Sequence, residues 1–72
     1  MTVGERIQRL RTERRLSQER LAELVGVSRQ VVSKWELNTA QPDTDKLIPL
    51  ARALGVSVDK LLGNGTENKG GE

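Results

Sequence analysis

A chain of 72 residues makes one small domain, close to the size at which a single hydrophobic core barely suffices. It contains no cysteine and no histidine, so neither a disulfide nor a Zn²⁺ site of the usual kind can supplement that core, and no metal or other cofactor is expected. The net charge of +2 does not by itself indicate nucleic acid, and no apolar run approaches a membrane span.

Charge is unevenly distributed. Residues 1–34 hold eight bases and four acids, a net +4, whereas residues 35–72 hold four bases and six acids, a net −2. A surface that faces phosphates would show this asymmetry, although ordinary solvated helix faces would show it too. The opening Met1-Thr2-Val3-Gly4-Glu5 is unlike a signal peptide, and the absence of cysteine fits a reducing compartment, so a cytoplasmic location is expected.

Thr2 and Glu5 are spaced as a capping box, which predicts a first helix from there to about Arg15. Ile7 and Leu10 share its inner face, with Arg6, Arg9, Glu13 and Arg14 around the rest, and Leu16 enters the core as the chain turns. Ser17 caps a second helix, Gln18 to Val25, with Leu21, Ala22 and Val25 inward. Gly26 follows, where a left-handed residue ends a helix sharply. Val27 packs in the turn, and Ser28 caps a third helix from Arg29 to about Glu36.

Val32 and Trp35 face inward on that third helix, leaving Arg29, Gln30, Ser33 and Lys34 outward. Asn38 is expected to stop it, since asparagine tolerates positive φ. Residues 39–42 form a loop, and Asp43 caps a fourth helix of roughly Thr44 to Leu54 with the stripe Leu47, Leu50, Ala51 and Leu54. Gly55 ends it, and Ser57 caps a last short helix bearing Val58, Leu61 and Leu62. Residues 1–62 are read as the folded domain and 63–72 as a glycine-rich disordered tail or linker. There is no strand candidate.

The centre of this pattern carries a geometric argument. Two helices that cross steeply need a small residue at their closest approach, which Ala22 supplies, and the turn between them needs the positive φ that Gly26 can adopt. Val32 anchors the second of the pair from below. This is the arrangement with which a helix-turn-helix holds one helix out toward the major groove of DNA.

The chain resembles the phage repressor and Cro type of helix-turn-helix, the XRE family, over residues 4–62. Arg-Leu-Arg at 9–11, Leu-Ser-Gln at 16–18, Leu-Ala at 21–22 and Gly-Val-Ser at 26–28 carry the likeness, with Trp-Glu at 35–36, Pro42 and Ala-Leu-Gly-Val-Ser at 53–57. It implies an all-α, compact five-helix, lambda-repressor-like domain in which the second and third helices form the helix-turn-helix. One departure stands at position 38, where the family commonly has glycine and this chain has asparagine.

Resemblance and helical phase agree that Arg29, Gln30, Ser33 and Lys34 are the candidates for reading base edges. Arginine or lysine suits guanine O6 and N7, and glutamine suits adenine N6 and N7. In the resembled repressors a glutamine at the position of Gln18 grips a phosphate, where a helix N-terminus also favours an anion. Asn38 and the loop after it are expected to make a second phosphate contact. Val31 meets either a thymine methyl or the first helix, and packing is the favoured reading. Family practice also pairs Arg11 with Glu36 as a brace for the third helix.

The resemblance further implies a transcriptional regulator, a repressor by preference, that binds double-stranded DNA as a homodimer. Its pairing surface would lie near Val56, Val58, Lys60 and Leu61. The alternative is an antitoxin-type module that binds a toxin and regulates its own operon, or the DNA-binding part of a regulator with a C-terminal sensor domain. An enzyme is not expected. Histidine, cysteine, tyrosine and a glycine-rich phosphate loop are all absent, the chain is short for an enclosed pocket, and Ser17, Ser28 and Ser57 are explained as caps.

Overall fold

The computed structural model describes residues 1–63, and all but the first residue of the tail expected at 63–72 lies outside the described residues. Five helices follow in chain order: α1 (Val3–Glu13), α2 (Gln18–Val25), α3 (Arg29–Glu36), α4 (Thr44–Leu54) and α5 (Val58–Leu62). Among the described residues there is no strand. No helix among them is long and apolar enough to cross a membrane.

Local chemistry accounts for where these helices begin. Thr2 accepts from the Glu5 backbone N–H at 3.1 Å while Glu5 Oε1 accepts from the Thr2 backbone N–H at 3.0 Å, a complete capping box. Ser17, Ser28 and Ser57 each accept from the third backbone N–H of their helix, at 2.9, 3.3 and 3.0 Å. Asp43 stands at the N-cap of α4 with the extended backbone of a cap, but its side chain makes no capping hydrogen bond, contrary to expectation. Its carboxylate contributes through charge at the positive end of the helix alone.

The end of α1 differs from the sequence reading by two residues. The helix stops at Glu13 rather than Arg15, because Arg15 adopts φ 59° and the Leu16 N–H turns back onto the Arg11 carbonyl at 3.0 Å. This left-handed step swings Leu16 inward and lets α2 start at once. Pro49 sits inside α4 and has no N–H to offer the Asp45 carbonyl, yet the helix continues to Leu54.

The apolar stripes of all five helices meet in one core: Ile7 from α1, Leu21, Ala22 and Val25 from α2, Val32 and Trp35 from α3, Leu50, Ala51 and Leu54 from α4, and Leu61 from α5. Leu10, Leu16, Val27, Val31, Leu47, Val56 and Val58 close its edges at partial burial. Because Leu61 is fully buried, it cannot belong to a pairing surface, which corrects one of the residues proposed for that role. Gly63 occupies the left-handed C-cap that follows α5.

Gly4 makes possible a close approach between α1 and the end of α3. A Cβ there would collide with the Trp35 carbonyl oxygen, and would lie 2.6 Å from Asn38 Oδ1 and 2.7 Å from the Glu36 carbonyl. The first turn of α1 therefore rests against the last turn of α3, a contact available only to a residue without a side chain.

Candidate nucleic-acid interface

The turn between α2 and α3 is short and well satisfied. Gly26 takes φ 90°, and the N–H groups of Gly26 and Val27 both reach the Ala22 carbonyl, at 2.8 and 3.0 Å. Ala22 is buried in the core, as expected for the small residue of the helix pair. With Val32 and Trp35 held in the core, the opposite face of α3 is set toward solvent by helical phase alone.

On that face Arg29, Gln30 and Lys34 are exposed and Ser33 is half-buried. Among the described residues, none of these four side chains makes a hydrogen bond or an ion pair. Their donors and acceptors are uncommitted, the state required of side chains that must bond an external partner. Val31 is half-buried and packed against the core, in line with its packing reading.

Below α3 lies a buried ionic network. Arg11 Nε donates to Glu36 Oε2 at 2.6 Å, Arg11 Nη2 to Glu36 Oε1 at 3.3 Å, and Arg11 Nη1 to the Leu16 carbonyl at 2.8 Å. The two side chains are 12% and 4% exposed, so the forked pair is shielded from water and ties α1 to the end of α3. The pair expected from family practice is therefore formed, and it is internal. Gln18 joins it: its Nε2 donates to Glu36 Oε1 at 2.9 Å. That bond leaves no mark in the sequence, because it joins residues 18 apart on different helices.

Asn38 is also engaged in a way the sequence does not announce. At φ 63° it ends α3 in the left-handed region, and its side chain turns to α1, where Oδ1 accepts from the Gly4 N–H at 3.1 Å and Nδ2 donates to Thr2 Oγ1 at 2.9 Å. Its carboxamide thus links the end of α3 to the N-terminus of α1, with one Nδ2 proton left uncommitted among the described residues. The loop donors nearest α3 are partly used, since the Thr39 and Ala40 N–H groups both bond the Lys34 carbonyl.

Open surface grooves are present among the described residues. One of about 340 Å³ is lined by Met1, Arg6, Arg9, Leu10, Glu13 and Lys60, and one of about 400 Å³ by Leu24, Pro49, Arg52 and Ala53. Volumes of several hundred cubic ångströms thus exist, as open clefts rather than enclosed pockets. Neither lining set contains a hydroxyl, thiol or imidazole. No group of acids among the described residues is arranged to hold a metal ion.

A helix-turn-helix with an uncommitted polar face on its second helix and a braced underside defines a class of DNA-binding domain. A family model described as helix-turn-helix matches residues 7–61, and the chain belongs to this family, in its XRE or phage-repressor branch. It is 44% identical over 59 residues to YonR, an HTH-type transcriptional regulator from the SPbeta prophage of Bacillus subtilis, covering 82% of this chain and 55% of that protein. The fold is similar to the c2 repressor of Salmonella phage P22 in complex with a synthetic operator, with a TM-score of 0.84 and 37% identity over 86% of this chain and 94% of that one. It is also similar to the biofilm regulator SinR in complex with DNA, with a TM-score of 0.79 and 35% identity over 85% and 98% of the two chains. The chain spans about half the length, or less, of the curated relatives it matches.

Proposed function

We propose that the protein is a sequence-specific regulator of transcription, a repressor by preference, that binds double-stranded operator DNA with α3 in the major groove. The observation that carries this reading is the outward row of Arg29, Gln30, Ser33 and Lys34, whose side chains make no hydrogen bond or ion pair among the described residues. Arg29 and Lys34 suit guanine, Gln30 suits adenine, and each well-formed bidentate contact discriminates by roughly 1–3 kcal/mol. Gln18 and the start of α2 take a backbone phosphate, and Asn38 with the loop after it takes a second one. This work belongs to residues 1–62 as one DNA-binding unit, with 63–72 as tail or linker.

A domain this small reaches few bases, so useful affinity calls for two copies on half-sites about one helical turn apart, on the order of 34 Å. The homodimer would form at least on DNA, with Val56, Val58 and Lys60 as the remaining candidates for its pairing surface. The setting is cytoplasmic, and the role is binding rather than catalysis. Protein partners such as a toxin or an attached sensor domain are secondary to this reading.

The test is selection of bound duplexes from a random pool at physiological salt, repeated with Arg29→Ala. A two-fold-related motif that loses information at one position in the variant supports an operator-binding dimer with Arg29 on a base. Recovery of no motif, with only weak salt-sensitive binding left, would refute sequence-specific reading.

A further inference from the structure

We propose that Glu36 is a positioning residue for DNA binding: its buried carboxylate fixes the amide of Gln18 at the surface of α2 that meets the phosphate backbone. The inference rests on the DNA-binding reading and extends it to a residue that touches no nucleic acid.

Glu36 is the one charged residue in the buried set among the described residues. The forked pair with Arg11 already neutralises it, yet its Oε1 also accepts from Gln18 Nε2. Gln18 is half-buried and opens α2, where the backbone N–H groups of Gln18 and Glu19 have no acceptor among the described residues. An amide nitrogen carries two protons. With one held by Glu36, the carboxamide plane is fixed, and the second proton is left for an external acceptor.

Without the anchor, Gln18 would have to give up several rotamers each time it met a phosphate, and part of the contact would be lost to that ordering. Arg11 has a matching part. It cancels a negative charge that would otherwise oppose an incoming phosphate.

A glutamine at position 36 has a single acceptor oxygen in place of two. The charged Arg11 competes best for it, which releases Gln18. The experiment is a double-mutant cycle of Gln18→Ala and Glu36→Gln, read as affinity for a fluorescent mixed-sequence duplex at low salt and 10 °C. Phosphate contacts do not depend on sequence, so this probe suffices. Each variant is first shown to keep its helical circular dichroism.

Gln18→Ala is expected to weaken binding about tenfold in the native background, as for a hydrogen bond to a charged group. In the Glu36→Gln background it is expected to weaken binding by less than about threefold. Equal losses in both backgrounds would overturn the proposal while leaving DNA binding intact, and no binding by the native protein would overturn both. Should Glu36→Gln fail to fold, the Gln18 side-chain amide of the free native protein decides by NMR. One shifted, slowly exchanging proton is expected, and two solvent-like protons would refute the anchor.

Discussion

Replacing Arg11 by alanine isolates the buried pair that joins α1 to α3. The carboxylate of Glu36 is 4% exposed and would be left inside the protein with Gln18 as its single side-chain donor. Removing one partner from a buried ion pair costs about 3–5 kcal/mol, most of it the penalty of an uncompensated charge. At roughly 0.05–0.15 kcal/mol per residue, a domain of this size holds only about 4–11 kcal/mol in total. Arg11→Ala should therefore consume a large share of that stability and lower the thermal midpoint by about 12–40 °C.

Trp35 provides the assay. It is the single tryptophan, it lies in the core, and its fluorescence will report urea unfolding without a label. Arg9→Ala is the control. Its partner Glu13 lies 3.1 Å away, but the two side chains are 64% and 56% exposed, so the loss there should stay below about 1 kcal/mol. The double replacement Arg11→Met with Glu36→Leu should recover much of the lost stability, because an apolar pair carries no desolvation penalty. A change under about 1 kcal/mol for Arg11→Ala would refute the reasoning, since a pair this shielded would then behave as a surface one.

Asn38→Gly sets backbone freedom against side-chain bonding. Glycine suits φ 63° and is the residue the family commonly places there, but it would lose both bonds from Asn38 to α1, at about 0.5–1.5 kcal/mol each. A net loss of about 1–2 kcal/mol is expected from urea melts, and a gain would show that the left-handed turn outweighs the link. The caps give a graded set: Ser17→Ala should cost about 1 kcal/mol, and Asp43→Ala, which breaks no capping bond, only a few tenths. Equal costs at the two positions, again by urea melts, would contradict the observed difference in capping.

Much of the molecule was legible from local chemistry. Serine caps, the Thr2–Glu5 box, Gly26 and the 3.6-residue spacing of aliphatic side chains act within one or two helical turns, so sequence spacing is enough to find them. The same phase argument set Val32 and Trp35 inward and left Arg29, Gln30 and Lys34 outward, so the row of candidate base-reading residues could be named from the chain alone.

What tertiary structure decided lies at long separation. Asn38 bonds residues 34 and 36 positions away, and Gln18 meets Glu36 across 18. No spacing rule encodes which of several partners a carboxamide takes once helices pack. Gly4 shows the same limit: it reads as an ordinary first-turn residue until α3 comes to rest on it, and Leu61 reads as available surface until α5 closes the core. Helix phase is a property of the chain, whereas the partners of a polar side chain are a property of the packed fold.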